Sequence, residues 1–334
     1  ALNRNKRSIV IDLKRPEGVA LLLELMRDAD VVAQNFRPGA VERLGIGYDD
    51  VRRINPEVVY VSISGFGEQG PYAGKRVYDP VIQMFSGMVE AQTDPASGKP
   101  DFVRNIVCDK VTSLTAAQMI TSALLARATG KGGQHVRLAM LDAAVAFMWP
   151  DGMVNETFVG PDVKRGLAQS DLSAVYQAAD GYMCVFPTSD RDWRALCEDM
   201  GRPELIEDER FRSGNRRSRF FPDLAAEIGT MVRDLTVAEV RQRLDAVGVP
   251  CAPMLSREEM RDDPQVIANE LIVEQDYERL GRVRQPRPAA RFERTPISIR
   301  TPAPTLGEHT DAVLRQLGKS ADEIERLRSE GTVA

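Results

Sequence analysis

Three β-branched runs near the start of the chain are separated by stretches long enough for a helix, and this alternation restricts the fold more than any other feature. Ser8-Ile9-Val10-Ile11-Asp12-Leu13, Asp30-Val31-Val32-Ala33-Gln34-Asn35-Phe36 and Val58-Val59-Tyr60-Val61-Ser62-Ile63-Ser64 each read as a strand. Between the first two, Arg15-Pro16-Glu17-Gly18 opens a helix with proline in its first turn. Val19, Leu22, Leu23 and Met26 then recur at helical spacing. Arg37-Pro38-Gly39 is a turn, and 40–44 and 48–54 read as short helices before the third run. Strands alternating with helices predict an α/β fold with a parallel sheet.

The stretch from Val58 to Arg127 organises the rest. It reads strand, glycine-rich turn, irregular loop, then a helix introduced by Val103-Arg104-Asn105-Ile106-Val107-Cys108-Asp109. Asp109 is expected as its N-cap, with Val111, Leu114, Ala117, Thr121 and Leu124 forming one apolar stripe. Thr129-Gly130-Lys131-Gly132-Gly133 stops the helix, 134–138 is a strand, and 141–149 is helical. Gly65-x-Gly67-x-x-Gly70 matches the dinucleotide fingerprint, but Pro71, Gly74 and Pro80 break the helix that would cradle a pyrophosphate. The glycines are read as a tight turn at the carboxyl ends of the strands, where open α/β sheets bind ligands. Capping does not exclude a nucleophilic role for Asp109. A helix N-terminus keeps a carboxylate ionised, and carboxylates act as covalent catalysts.

At 334 residues the chain is long enough for two domains of about 150 residues each. The expected division is a large domain over 1–150, a linker over 151–172, a small α+β domain over 173–270, an extended linker over 271–305, and closing helices over 306–334. Pro150 to Gln169 read as loop, and the second domain is placed from near Ser170. Asp180-Gly181 signals a hairpin, and helices are expected near 190–200, 222–231 and 236–247. Prolines 286, 288, 296, 302 and 304 predict an extended return segment. Thr310 is expected as the N-cap of the next helix. A net charge of −5 excludes a nucleic-acid binder, no apolar run reaches the roughly 18 residues of a membrane span, and no signal peptide is present. The two histidines, His135 and His309, make a histidine zinc site improbable; both read as structural, His309 as fixing its turn. Four cysteines without CxxC spacing fit reduced thiols and a cytoplasmic setting, and Cys108 reads as buried packing rather than a thiol nucleophile. Arg212, Arg216, Arg217 and Arg219 read as an exposed face.

Several segments together resemble a family III CoA-transferase of the CaiB–BaiF type. They are Asn5-Lys6-Arg7-Ser8-Ile9, Asn35-Phe36-Arg37-Pro38-Gly39, Gly65-Phe66-Gly67 with Gly70-Pro71-Tyr72, Tyr78-Asp79-Pro80 with Gln83 and Ser86-Gly87, Gly130-Lys131-Gly132-Gly133-Gln134, and Gly307-Glu308-His309-Thr310. That family includes formyl-CoA and carnitine CoA-transferases and the related α-methylacyl-CoA racemases. The resemblance implies a Rossmann-like large domain, a smaller domain, and an interlocked homodimer. It places the nucleophile on Asp109. It places coenzyme A contacts on Ile11, Asp12, Leu13 and Lys14, on Asn35, Phe36 and Arg37, on Arg43 and Leu44, and on Arg76, Val77, Tyr78 and Asp79. Acyl-CoA and a carboxylic acid are the implied substrates, with coenzyme A as substrate and no other cofactor or metal. The family's first strand and its Ala-Gly-Pro loop have no counterpart here, and the chain begins at Ala1, so native N-terminal sequence is expected to be missing. Val77-Tyr78-Asp79 stands where racemases carry Gly-His-Asp, which favours a transferase over a racemase, since proton removal needs that histidine. A racemase and an inactive acyl-CoA binder are the competing readings.

Overall fold

The computed structural model describes residues 2–94, 97–160, 163, 166, 172 and 174–334. Two compact units divide the chain: 1–148 together with 271–334, and 149–270. The first unit begins with α1 (Pro16–Arg27), β1 (Val31–Gln34), α2 (Ala40–Arg43), α3 (Tyr48–Ile54) and β2 (Val59–Ser64). It continues with α4 (Asp79–Phe85), α5 (Met88–Ala91), α6 (Val107–Ala126), β3 (Gln134–Ala139) and α7 (Met140–Gly152), the last running past the unit boundary.

The three strands form one parallel sheet in the order β1-β2-β3, with Gln34 beside Ser62 and Ser62 beside Arg137. Alternation along β2 separates its two faces. Val59 and Val61 are fully buried with Ala123 of α6, while Tyr60 is buried with Val32 of β1 and Val51 of α3. Helices therefore cover both faces, the α/β arrangement read from the alternation. Gly133 is required at the entry to β3. A Cβ there would lie 2.5 Å from the carbonyl carbon of Glu57 and the carbonyl oxygen of Val58.

Ser8 to Leu13 is not a strand: the run makes one isolated bridge, Ile11 to Val333. The mid-chain loop is not wholly irregular either, since it contains α4 and α5. Pro80 occupies the first turn of α4, where the missing N–H costs nothing. On α6 the buried row is Cys108, Thr112, Ala116 and Ala123, whereas Leu114 is 73% exposed. Small side chains let this helix sit close against the sheet, so Leu114, Ala117 and Thr121 of the expected stripe face outward while Leu124 packs against the core.

The second unit contains α8 (Val154–Thr157), β4 (Tyr176–Gln177), β5 (Tyr182–Val185), α9 (Asp190–Asp199), α10 (Gly214–Arg219), α11 (Phe221–Val232), α12 (Val237–Val247), β6 (Cys251–Pro253), α13 (Arg257–Asp262) and α14 (Pro264–Ala268). The expected loop after Pro150 is helical as far as Thr157, and Pro161, Gln169 and Ser170 lie outside the described residues. Ser189 and Thr236 cap α9 and α12 by accepting from Asp192 N (3.1 Å) and Glu239 N (3.2 Å). The core is built on Trp193, Leu196, Phe211, Ile228 and Leu244. Arg217 is not on an exposed face. Its guanidinium is buried, donating to Phe211 O (2.9 Å) and Asp190 Oδ1 (2.7 Å), so it ties α10 to α9.

The chain then returns to the first unit. β7 (Ile272–Tyr277) and β8 (Gly281–Pro286) pair as an antiparallel hairpin that the proline pattern hid. After an extended stretch come α15 (Thr310–Gln316) and α16 (Ala321–Ser329). Asn5 holds the extended stretch. Its Oδ1 accepts from Arg300 N (2.7 Å) and Thr301 N (3.1 Å), and its Nδ2 donates to Ser298 O (2.8 Å). Asn5 adopts φ 61°, a left-handed conformation that asparagine tolerates. Thr310 is the first residue of α15 rather than its cap. Its hydroxyl donates to Ala334 O (2.7 Å) and accepts from Val10 N (3.2 Å). His309 fixes this junction, Nδ1 accepting from Ser8 N (3.2 Å).

Candidate active site

The carboxyl ends of β1 and β2, the glycine turn and the mouth of α6 enclose a cleft of about 420 Å³ within the first unit. Asn35, Phe36, Arg37, Arg76, Val77, Tyr78 and Asp109 line it, all singled out from the sequence. So do Lys75, a loop cation legible in the sequence beside Arg76, and Ser64 and Met140, which were not singled out. Met140 offered no signal before the fold brought it there. Ile11 to Lys14 lie elsewhere. Asp12 N donates to Thr332 O (2.9 Å), and its carboxylate accepts from Lys14 N (3.0 Å). Arg43 and Leu44 do not line the cleft, and the Arg43 guanidinium sits against Gly39. Asp79 does not line it either; its carboxylate lies against the first turn of α6, at the Asp109 amide.

The glycine turn satisfies both requirements read from its sequence. Gly67 and Gly70 have φ of 92° and 89°, which a side chain would strain. Gly65 is a close approach, because a Cβ there would fall 1.9 Å from Val77 Cγ1. No helix opens inside the fingerprint, consistent with the rejection of a pyrophosphate cradle. Phe66 and Tyr72 both meet Phe85 edge to face beside the turn and are tilted against each other, with centroids 5.0–5.6 Å apart.

Asp109 lies in the first turn of α6, third in the helix rather than at its cap. Its backbone N–H donates to Asp79 Oδ2 (3.0 Å). The other oxygen of Asp79 accepts from Gln83 Nε2 (2.6 Å). Gln83 also grips the strand of chain leading to the helix. It donates to Asn105 O (3.1 Å) and Val103 O (3.2 Å), and its Oε1 accepts from Val103 N (3.0 Å). Asp79 and Gln83 are 3% and 2% exposed, so this is a dry clamp on the approach to Asp109. Burial, and then the neighbouring Asp79 charge, raise the Asp109 carboxyl above its ordinary value. These pushes outweigh the helix N-terminus, which favours the ionised form. Among the described residues the Asp109 carboxylate has no ion-pair or hydrogen-bonded side-chain partner, which leaves its lone pairs available.

Two alternative nucleophiles are removed by their surroundings. Cys108 is fully buried, and burial together with Asp79 and Asp109 pushes its thiol up to about 12, far from a thiolate at neutral pH. Ser62 Oγ lies 2.8 Å from His135 Nε2, the spacing of a nucleophile and its base. Ser62 is only 8% exposed, its oxygen already accepts from Gln34 Nε2 (2.9 Å), and His135 Nδ1 has no carboxylate or other hydrogen-bond partner. Burial and Arg137 lower the His135 pKa, and the pair is structural.

The model of the CoA-transferase family III matches residues 1–310. The chain is similar to a succinate–glutarate CoA-transferase of Agrobacterium fabrum, 34% identical over 95% of this chain and 80% of that protein. It is similar to a formyl-CoA:oxalate CoA-transferase of Streptomyces coelicolor, 33% identical over 99% of this chain and 85% of that one. Among solved structures, a CaiB/BaiF family protein from Brucella suis superposes with a TM-score of 0.77 at 29% identity, over 95% of this chain and 83% of that one. A carboxylate at a helix mouth in a cation-lined cleft, on a parallel sheet of this topology, and a match over most of the sequence lead to one assignment: the chain belongs to CoA-transferase family III and is a CoA-transferase.

Proposed function

We propose that the chain moves coenzyme A from an acyl-CoA to a carboxylic acid with Asp109 as covalent nucleophile. The observation that carries this reading is the composition of the cleft. Asp109 is the one acid among its described lining residues, beside three cations, Arg37, Lys75 and Arg76. Cations suit the phosphates of coenzyme A, and a lone carboxylate near them suits the thioester end.

The steps balance without an external acid, base or oxidant. An Asp109 oxygen adds to the thioester carbonyl and the C–S bond breaks, giving a mixed anhydride and CoA thiolate. The thiolate attacks the aspartyl carbonyl and expels the donor carboxylate, leaving an aspartyl-CoA thioester. The acceptor carboxylate attacks that thioester and again releases thiolate, which takes the acyl group from the second anhydride and restores Asp109. Donor and product are both acyl-CoA thioesters of similar energy, so the exchange as a whole needs no hydrolysis to drive it. No histidine is among the described lining residues, and Tyr78 is 75% exposed, which supports transfer over racemisation at the α-carbon. Incubation with an acyl-CoA followed by hydroxylamine is expected to leave a hydroxamate on Asp109, read by peptide mass spectrometry. Recovery of only unmodified Asp109 under turnover conditions would reject the covalent route. Succinyl-CoA with dicarboxylic acceptors is the first substrate set to try, given the relatives' names.

The raised Asp109 carboxyl sets a pH dependence. Attack needs the anion, so turnover falls as pH falls through the raised pKa, and the acid limb lies above the ordinary aspartate value of 3.8. Asp79→Asn removes one of the two causes of the rise and is expected to move that limb to lower pH. A limb that stays in place in this variant would remove Asp79 from the electrostatics of the site.

We infer further that the chain works as a homodimer, interlocked as the family resemblance implies. The outward row of α6 supports this: Leu114 and Leu125, 73% and 65% exposed, flank Ala117 and Thr121 at helical spacing. Leu114→Glu with Leu125→Glu is expected to lower the mass measured by light scattering to about 37.0 kDa, the mass of one chain. A wild-type protein already at that mass would exclude the dimer.

A further inference from the structure

The loop Asn35–Phe36–Arg37 contributes three neighbouring side chains to the cleft, and its far end is turned by Arg37 O accepting from Ala40 N (3.0 Å). Its near end is held by Gln34, the last residue of β1, whose Oε1 accepts from Phe36 N at 2.7 Å. An amide side chain can present either its oxygen or its nitrogen, and only the oxygen serves here. Gln34 Nε2 donates to Ser62 Oγ on β2 (2.9 Å), which occupies the register position opposite Gln34. The hydroxyl hydrogen of Ser62 then has one acceptor, His135 Nε2 on β3, at 2.8 Å. In this polarity the imidazole hydrogen is assigned to Nδ1, which has no hydrogen-bond partner of its own.

The ring itself cannot turn freely. Tyr48 stacks on it at 4.6 Å and Tyr60 meets it edge-on at 5.4 Å. Tyr60 is in turn anchored by its hydroxyl donating to Ile46 O (2.8 Å). Direction therefore passes across the whole sheet. The ring fixes the Ser62 hydroxyl, the hydroxyl fixes the Gln34 amide, and the amide fixes the Phe36 backbone. We propose that Gln34, Ser62 and His135 are positioning residues for the cleft-lining loop Asn35–Arg37, and hence for acyl-CoA binding. The second half of this statement rests on the reading of the cleft as the acyl-CoA site.

Two measurements separate the halves. Hydrogen exchange on the ligand-free protein reads the relay alone. The Phe36 amide is expected to exchange about five- to tenfold faster in Ser62→Ala and in Gln34→Met, the loss of one neutral hydrogen bond. Ser62→Thr keeps the hydroxyl and is expected to exchange like wild type, which distinguishes loss of the relay from general disruption of β2. Unchanged exchange at Phe36 in both Ser62→Ala and Gln34→Met would overturn the relay.

Steady-state kinetics with succinyl-CoA reads the coupling. Ser62→Ala and Gln34→Met are expected to raise KM for the acyl-CoA about five- to tenfold with kcat within about twofold, because a loosened loop weakens ground-state binding. Arg37→Ala serves as the control. If it raises KM while the relay variants do not, the coupling is wrong and the cleft reading stands. If Arg37→Ala leaves KM unchanged, the cleft reading itself fails, and the relay is judged by exchange alone.

Discussion

Replacing Asp109 by asparagine is expected to lower CoA transfer by roughly 10⁴-fold or more, the scale on which a covalent nucleophile is lost, while the fold is retained. The side chain is nearly isosteric, and the backbone N–H bond to Asp79 at 3.0 Å does not depend on the carboxylate. Removing a raised, partly buried acid also removes an unfavourable charge, so the melting temperature should hold or rise. Acyl-CoA should still bind, since Arg37, Lys75 and Arg76 remain. Loss of turnover with binding preserved places the defect in chemistry. Transfer within about tenfold of wild type, in a preparation shown by mass to be free of deamidated protein, would remove Asp109 from the covalent role.

Gln83→Leu is expected to have the largest effect on stability. Gln83 is fully buried and serves Asp79 Oδ1, the N–H and carbonyl of Val103, and the carbonyl of Asn105. Leucine fills the volume and strands these groups in a dry interior, where each unsatisfied group costs about 1–3 kcal/mol. Partial relaxation of the loop leaves a net loss of about 3–4 kcal/mol, or roughly 6–16 °C in Tm for a unit of this size. The segment 103–105 leads directly into Asp109, so turnover should also fall, by about 10- to 100-fold, as Asp109, the proposed nucleophile, loses its fixed approach. Calorimetry and initial rates on one preparation test both parts. A Tm within about 2 °C of wild type would show that water or neighbouring groups already satisfy the clamp.

The parts of this molecule that were legible beforehand are those whose local chemistry admits one solution. β2 and β3 were read within a residue or two because β-branched runs between glycine stops fit little else. Helices α9 and α12 were likewise placed within a residue or two, and the hydroxyl three residues ahead of an acid that caps each is a local signal the reading did not use. Misreadings arose where one pattern has two physical outcomes. Ser8 to Leu13 has strand composition, but its partner is a single residue at the far end of the chain, Val333. Pro80 excluded a helix opening in the glycine turn, but the same proline starts α4, which was read as irregular loop. Arg217 looked like its solvated neighbours until Asp190 and the Phe211 carbonyl enclosed it.

In the cleft, residue types were legible and assembly was not. Asn35–Arg37 and Arg76–Tyr78 are 40 positions apart, and only the order β1-β2-β3 brings their loops to one end of the sheet. Asp79 illustrates the limit in one residue. Its place beside Tyr78 suggested ligand contact, whereas helix α4 turns it inward to meet the Asp109 amide.

The knot of contacts among Ser8, Val10, Asp12, His309, Thr310 and Thr332 has a consequence for synthesis. Ser8 and His309 are 301 positions apart, so on a ribosome adding about 5–20 residues per second the early segment waits roughly 15–60 s for its partner. During that interval the intervening unit, 149–270, is already complete and free to collapse on its own residues. The segment from Ser8 to Asp12, β-branched and still without its His309, Thr310 and Thr332 partners, is exposed to chaperones during that interval, and truncation shortly before His309 should leave it a substrate for proteolysis.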